Sequence, residues 1–289
     1  MPAVRSSRRR FISGALSVAA LSGCGTLGYG RERSFRPDPV RPLAHWQSHV
    51  PGAQRLVDHS LWTRFLATYR RVRSDRVPLL PYGEVASAEL ELLDEYLALL
   101  AGTPVGKLDR PEQYAFWLNL YNALTVRLIE RAYLVLSIRD IDFGDGTPWH
   151  RPIVEVESQR LSLADIRDRI LRAYWRDGRL HYGLCYGAIG SPGLLAEAFT
   201  GENVDRLLDA QALDFVNHPR GVWVEGGNVT LSSIFDWYAA DFGGTRDAIL
   251  AHLRLYALPG LRPLLRDDLA FDYAFDWSLN DATGSQGRR

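Results

Sequence analysis

The chain has 289 residues, of which 46% are hydrophobic and 24% charged. This composition is typical of globular proteins and excludes intrinsic disorder and fibrous classes. Its 34 Lys and Arg residues balance its 34 Asp and Glu residues, so a strongly basic nucleic-acid-binding surface is not supported and no nucleic acid is expected as a partner. Two cysteines cannot form a disulfide framework, and no Cys/His cluster suggests a zinc site, so we expect neither a metal nor a cofactor.

The first 23 residues are predicted to be a secretory signal peptide. Arginines at 8–10 precede an apolar run over 12–21 that is too short to span a bilayer, and the paired arginines give it a twin-arginine character. The run ends in Leu21-Ser22-Gly23-Cys24, which resembles a bacterial lipoprotein box in which Cys24 is lipidated and becomes the first residue. The alternatives are an ordinary cleaved signal, in which Cys24 has no role, and an uncleaved anchor.

Residues 24–42 carry Gly, Pro and Arg without periodicity, which predicts a lipidated tether. The expected location is the periplasmic face of a bacterial cell envelope, with the membrane as a partner through the lipid anchor. Gly25 gives no inner-membrane retention signal of the Asp type, which favours the outer membrane. A chain that starts at Cys24 loses four arginines and no acid, which leaves 30 basic against 34 acidic residues.

Apolar residues at steps of three and four predict seven helices. They cover 57–73, 87–100, 112–130, 164–175, 203–216, 232–240 and 245–255. Asp109 is expected to cap the third of these, with Pro111 in its first turn. This helix is apolar on nearly all sides, which is typical of a buried helix.

Alternating or continuous apolar runs predict strands at six places. They cover 152–156, 160–163, 180–186, 222–224, 229–231 and 271–277. The first two are expected to form a hairpin over Glu157-Ser158-Gln159, and 222–224 with 229–231 a hairpin over Glu225-Gly226-Gly227-Asn228. The chain shows no internal repeat and no long linker. We therefore predict a single α+β domain over 43–280, helix-rich around a small, mainly antiparallel sheet, followed by a disordered tail over 281–289.

Two amides share one face of the predicted buried helix. Asn119 and Asn122 are three residues apart, close to Trp117. A buried amide without partners costs roughly 1–3 kcal/mol, so its presence needs a reason. Either the amides tie loop backbone to the helix, or they orient a reacting group or bind a substrate amide. The second alternative makes Trp117, Asn119 and Asn122 candidate ligand-binding residues.

A predicted strand and the loop after it place His181, Cys185 and Ser191 within eleven residues. On a strand, His181 and Cys185 would stand about 13 Å apart at roughly 3.3 Å per residue, which excludes an ion pair between them. Cys185 is then a buried apolar residue. His181 is either a structural histidine or a general base with a partner from elsewhere, and Ser191 is a candidate nucleophile. Gly187 and Gly190 of the loop are candidate ligand contacts.

The aromatic segment 272–280 is expected to dock on the core, with Asp276 and Asn280 either as a satisfied polar pair or as members of a site. The sequence contains no G-x-G-x-x-G after a strand, no P-loop, no H-E-x-x-H and no G-x-S-x-G. Nucleotide, zinc-peptidase and standard lipase functions therefore have no sequence support.

Six sequence blocks occur together within residues 84–280. They are Phe116-Trp117-Leu118-Asn119-Leu120-Tyr121-Asn122-Ala123-Leu124-Thr125, Pro148-Trp149, His181-Tyr182, Ile189-Gly190-Ser191-Pro192, Ser232-Ser233-Ile234-Phe235-Asp236-Trp237-Tyr238 and Asp276-Trp277-Ser278-Leu279-Asn280. Together and in this order they resemble the bacterial and plant family known as domain of unknown function 547. The resemblance implies little about activity.

The chain departs from this family in the loop after His181. Family members typically carry an asparagine and a cysteine there, then a second cysteine before a proline; these fall at Cys185, Tyr186 and Ser191. A disulfide or thiol chemistry of relatives is therefore not available to this chain. A helix followed by a histidine also resembles papain- and transglutaminase-like enzymes in layout, but helix 112–130 has no cysteine, and an amide is no nucleophile.

The leading hypothesis is a binding protein for a polar envelope ligand, a peptide or a glycan. Its cleft is expected to be lined by Trp117, Asn119, Asn122, His181 and the loop 187–192. The alternative is an envelope hydrolase or acyl transferase with His181 as general base and Ser191 or a water as nucleophile, so enzymatic activity is left open. The third candidate is a structural scaffold.

Overall fold

A computed structural model describes residues 35–144 and 147–283. The predicted signal peptide and Cys24 lie outside the described residues. Eight α-helical segments occur in the described ranges: α1 Ser60–Tyr69, α2 Ser87–Ala101, α3 Arg110–Ala132, α4 Arg172–Tyr174, α5 Leu180–Gly183, α6 Val204–Val216, α7 Ile234–Trp237 and α8 Arg246–Tyr256. None of the helices described is long and apolar enough to cross a lipid bilayer.

The strands in the same ranges form three small sheets. They are β1 Arg71–Val72, β2 Pro78–Leu79, β3 Val154–Val156, β4 Gln159–Leu161, β5 Val222–Glu225, β6 Asn228–Ser232 and β7 Phe271–Ala274. Strands β1–β2, β3–β4 and β5–β6 pair antiparallel, and β7 adds to β6 in parallel. The predicted α+β class, with many helices and small, mainly antiparallel sheets, is confirmed.

Turn chemistry explains two of the predicted hairpins. Gly226 and Gly227 join β5 to β6 with positive φ at both residues. A two-residue turn needs this backbone to match the twist of its strands, and glycine adopts it without strain. Glu157 and Ser158 adopt the same left-handed region between β3 and β4.

Helix α3 lies at the centre of the structure. Asp109 caps its first turn by accepting a hydrogen bond from the Arg110 backbone N–H at 2.7 Å. Seventeen of its 23 residues are buried, and α2, α6 and the segment before α4 pack against it. The prediction of a buried helix is confirmed, because a helix that is apolar on nearly all sides has to be covered from every direction.

The segment predicted as a helix over 164–175 begins as expected and then widens. Ser162 and Asp165 cap each other's backbone N–H groups at its start. From Asp165 to Leu171 the backbone is a π-helix, and only α4 after it is α-helical. The widened turn carries the neighbouring side chains Arg167 and Asp168 together into the interior.

The strand predicted over 180–186 is wrong. The backbone forms the helical turn α5, in which the amide of Tyr182 donates to the carbonyl of Arg179 at 2.9 Å. A short apolar run predicts burial but does not distinguish a strand from a helical turn, and here close packing decided. A Cβ on Gly183 would lie 2.8 Å from a methyl group of Leu208, so the bare backbone of this turn fits directly against α6.

Both predicted domain boundaries need correction. At the N-terminal end, Phe35 contacts the rings of Trp149, Trp237 and Trp277, so the predicted tether is already packed against the domain from residue 35. At the C-terminal end, the Ala282 backbone amide donates to the carbonyl of Leu80 at 2.8 Å, within the predicted tail. Aromatic burial and backbone pairing extend the ordered chain at both ends.

The predicted strand over 271–277 ends at Ala274, and the helix predicted over 232–240 divides into α7 and a 3₁₀ turn, Ala239–Phe242. The backbone leaves the helical conformation at Tyr238, with φ −114° and ψ 28°, and Gly243 ends the turn in the left-handed region at φ +95°. These breaks place the carboxylate of Asp241 beside α5, where the candidate site residues lie.

Candidate functional site

The side chains predicted to line a cleft are instead buried in the core. Those of Trp117, Asn119, Asn122, His181 and Ser191 are all almost fully covered. None of them lines either of the two cavities described below. Packing around α3 covers these five residues, so they do not line a cleft as the sequence predicted.

The two amides on α3 pair with backbone on neighbouring segments. Asn122 donates through Nδ2 to the carbonyl of Gly183 at 2.8 Å, and its Oδ1 accepts from the amide of Cys185 at 2.9 Å. Asn119 makes the same two-bond pairing with the backbone of Phe199, at 2.8 and 3.0 Å. Each amide thus gives the backbone one donor and one acceptor, as a neighbouring strand does in a sheet. This geometry favours the alternative in which the amides tie loops to the helix.

The acidic partner of His181, which the sequence did not identify, is Asp241. Nε2 of His181 lies 2.7 Å from Oδ2 of Asp241, and the histidine ring stacks on Tyr238 at a centroid distance of 4.0 Å. Burial lowers the pKa of His181, so the neutral ring donates from Nε2, while Nδ1 is buried without a hydrogen-bond partner. Burial raises the pKa of Asp241, but the hydrogen bonds from His181 and Arg172 outweigh it and bring the pKa to about 2.

The His181–Asp241 pair is one end of a buried network of charges. Arg172 bonds both oxygens of Asp241, at 2.5 and 3.1 Å, and also contacts Asp168 at 3.2 Å. Arg167 then forms two bonds with Asp168, at 2.6 and 3.0 Å. Two arginines face two carboxylates, which makes the network neutral when His181 is neutral. No local pattern singled out this network, because Arg167 and Asp168 are two of five charged residues in the helix predicted over 164–175.

Ser191 is part of a turn and has no hydrogen bond to His181. Its Oγ accepts from the amide of Tyr186 at 2.9 Å and donates to the carbonyl of Pro192 at 2.6 Å. Cys185 is buried, and burial raises the pKa of its thiol. Within the described part of the chain, neither the hydroxyl of Ser191 nor the thiol of Cys185 is hydrogen-bonded to His181.

The C-terminal polar residues are satisfied separately instead of forming a pair. Asn280 accepts a hydrogen bond from the hydroxyl of Tyr82 at 2.9 Å, and its Nδ2 lies 3.8 Å from the sulfur of Cys185. Asp276 accepts from the amide of Ser278 at 2.9 Å. The predicted docking of the aromatic segment is confirmed, since Trp277 packs on Trp149 and Trp237.

The two candidate glycines differ in position. Gly187 has φ +69°, and a Cβ there would lie 2.2 Å from Ile129 Cδ1, so this residue serves close packing against α3. Gly190 lies in the wall of an open cleft, where a Cβ would lie 2.6 Å from the backbone nitrogen of Asp276. Of the ligand contacts predicted from sequence, Gly190 alone borders a cavity described here.

This cleft has a volume of about 1030 Å³. Its floor is the outer face of the three-stranded sheet, where Trp223 pairs with Thr230, while Val229 and Leu231 point to the core. Its walls are the loop between β1 and β2, residues 136–140 after α3, Ile189 with Gly190, the turn 218–220, and residues 274–278. The cleft has a size typical of ligand-binding sites in proteins.

Apolar and charged groups alternate around the cleft. Leu136 is 85% exposed at its rim, and Trp223 is 45% exposed on its floor. Arg73 pairs with both oxygens of Asp75 at 2.9 and 3.0 Å, and Arg139 lies 5.2 Å over the ring of Trp277. Large exposed apolar side chains beside a concave polar surface are typical of an interaction site.

A smaller cavity of about 450 Å³ lies beside the buried charge network. Phe35, Trp149 and Arg167 contribute to its walls. The Arg167 guanidinium lies over the ring of Phe35, with its central carbon 5.6 Å from the ring centroid. No group of three or more His, Cys, Asp or Glu side chains within residues 35–144 and 147–283 is placed to bind a metal ion.

Comparison with known proteins gives one match. Residues 105–216 match the family model described as "Protein of unknown function, DUF547", which supports the resemblance noted from the sequence blocks. No curated protein and no solved structure matches the chain. The matched segment includes α3, the π-helix, α5 and α6, and ends before the three-stranded sheet.

We predict that the Asn122→Ala substitution lowers the free energy of unfolding by roughly 2–5 kcal/mol, because two buried backbone groups each lose a partner at about 1–3 kcal/mol. Urea denaturation followed by tryptophan fluorescence measures this loss. The exposed Gln159→Ala variant is the control and is expected to change stability by less than about 0.5 kcal/mol. An Asn122→Ala protein as stable as the wild type would show that the amide has no structural role.

Stability is expected to fall as the pH decreases from about 6.5 to about 4. Burial lowers the pKa of His252 from 6.5 to about 4, and burial also lowers the pKa of His181. Below pH 6.5 the unfolded chain therefore binds more protons than the folded chain, which favours unfolding. Denaturation midpoints at pH 7.5 and 5.0 measure this slope, and His252→Gln should flatten it. Equal slopes for both proteins would contradict the assignment to His252.

Proposed function

We propose that this protein is a lipid-anchored protein of the bacterial cell envelope that binds a peptide in the cleft over the three-stranded sheet. The observation that carries the proposal is the cleft itself, with its exposed Trp223 floor and its rim of apolar and charged side chains. Pockets of this size with a few convergent polar groups are the usual binding sites of proteins.

A peptide fits these walls better than a glycan. Leu136, Ile189 and Phe275 offer apolar contacts, and the charged groups in the walls have both signs. A peptide presents apolar and charged side chains together, whereas a neutral glycan has no charged group to pair with the charged side chains of the walls. The mixture of apolar and charged walls therefore supports the peptide among the two ligand classes expected from the sequence.

Binding is favoured over catalysis by the positions of the two candidate catalytic residues. A general base has to reach the proton that it removes. Nε2 of His181 is engaged by Asp241, its Nδ1 is buried, and the hydroxyl of Ser191 is bonded to turn backbone. This arrangement supports a structural role for both residues and gives no support to the hydrolase or acyl transferase alternative.

Two exposed leucines, Leu136 at the rim and Leu134 outside the cleft, provide a matched test of peptide binding. Leu136 lines the cleft and Leu134 does not, although their exposures are 85% and 83%. Screening a random peptide library against the domain from residue 35 onward should yield binders. Leu136→Ser and Trp223→Ala should each weaken these binders about tenfold, since loss of a well-packed apolar contact costs about 1–2 kcal/mol. Leu134→Ser should bind as the wild type does.

Three results of this screen would count against the proposal. Equal affinity of the wild type and the Leu136→Ser variant would show that peptides bind elsewhere. Retention on a glycan array, without retention of any peptide, would favour the glycan alternative. If neither kind of ligand binds, the scaffold hypothesis is the one supported.

The envelope location is proposed from the N-terminal sequence pattern. The apolar run and the Leu21-Ser22-Gly23-Cys24 block support lipidation of Cys24 at the periplasmic face of the envelope, and Gly25 favours the outer membrane. Several acyl chains, at about 0.8 kcal/mol per buried CH₂, are enough for stable attachment to a membrane.

Cells expressing the full chain should incorporate radiolabelled palmitate into this protein, whereas the Cys24→Ala variant should not. The Cys185→Ala variant is the control, because that thiol is buried and should not affect labelling. Label in the Cys24→Ala protein would rule out Cys24 as the acceptor.

A further inference from the structure

Arg220 is a buried arginine in the wall of the cleft with unused hydrogen-bond donors. Its side chain is only 8% exposed, and it packs over the ring of Phe215 at 5.5 Å. Its Nε and Nη1 atoms are screened from bulk water and have no acceptor among the described residues. A buried donor without an acceptor costs about 1–3 kcal/mol, and more when the group is charged.

The charge of Arg220 is only weakly compensated. Its nearest carboxylate is Asp214, at 3.5 Å, and Arg76 shares that carboxylate at 3.7 Å. Arg73, which lines the same cleft, differs because it binds Asp75 through two hydrogen bonds. Among the described residues, Arg220 is therefore paired only through a long contact that Arg76 shares, although Asp75, Asp140 and Asp276 also line the cleft.

The backbone on both sides of Arg220 is fixed. Its amide donates to Nδ1 of His218 at 3.1 Å, and Nε2 of His218 lies 2.8 Å from the carbonyl of Asp75. A Cβ on Gly221 would lie only 2.0 Å from the carbonyl oxygen of Phe215, so the next residue has to be glycine for the turn to close. The backbone that carries Arg220 is therefore fixed, and only its guanidinium has to turn for the screened donors to reach a group in the cleft, which confines the entropy cost of ordering to one side chain.

We infer that Arg220 binds a carboxylate of the peptide that occupies the cleft. A carboxylate accepts charge-assisted hydrogen bonds from a guanidinium, which are about twice as strong as neutral ones, and it would compensate the buried charge. The carboxylate can belong to the C-terminus of the peptide or to an acidic side chain. This inference rests on the proposed peptide-binding function.

The test compares one random hexapeptide library in three forms. The first has a free C-terminal carboxylate, the second is amidated and contains no Asp or Glu, and the third is amidated with one Glu. The wild type should bind the first or the third form at least tenfold more tightly than the second, and the favoured form identifies the source of the carboxylate. Arg220→Met should remove this preference while it still binds the second form, and Arg220→Lys should keep part of the preference.

Arg206→Met is the matched control, because Arg206 lies on α6 outside the cleft and is 66% exposed. It should retain the wild-type preference. Binding of the second form shows that the Arg220→Met protein is folded, and its thermal unfolding provides an independent check. A preference that survives in Arg220→Met, or equal binding of all three forms by the wild type, would overturn the role of Arg220. Absence of binding to every form by the wild type would instead overturn the proposed function.

Discussion

A polar group that is removed from water has to find a partner inside the protein, and the structure around α3 follows from this requirement. The helix is buried almost completely, so Asn119 and Asn122 on it can be satisfied only by other parts of the chain. Asn119 pairs with the backbone of Phe199, and Asn122 pairs with the backbone of Gly183 and Cys185. The two amides thus position segments that have no sheet of their own. The side chains of Asn119 and Asn122 therefore bond the backbone of these loops as a neighbouring strand would in a sheet.

The same requirement explains the arrangement of the charged groups around His181. Asp168 is buried and Asp241 is 14% exposed, and Arg167, Arg172 and His181 supply their partners. The backbone of the N-terminal segment joins this network, since the amide of Asp38 donates to Asp168 and the carbonyl of Asp38 accepts from Arg172. Burying isolated charges would be costly, so these groups form an almost complete network, and this network connects distant parts of the chain. Its neutrality contrasts with the weakly compensated charge of Arg220.

Local pattern was sufficient for the elements whose structure depends on near neighbours. The cap of α3 by Asp109, the hairpin turn at Gly226 and Gly227, and the burial of α3 all follow from residues within a few positions of each other. The strand predicted from Leu180 to Tyr186 is wrong for a physical reason. Complete burial removes the alternation that distinguishes a strand from a helix, and only packing against Leu208 and Leu118 selects the helical turn.

The sequence by itself determined the class of fold, the central buried helix, the hairpins and the presence of two amides that needed partners. It also indicated an N-terminal segment typical of lipoproteins. Only the tertiary structure decided that those amides bind backbone, that Asp241 is the partner of His181, and that the open cleft lies over the sheet and contains Arg220. These features join residues that are 60 or more positions apart, and such contacts depend on how whole elements pack, which no local pattern of residues encodes.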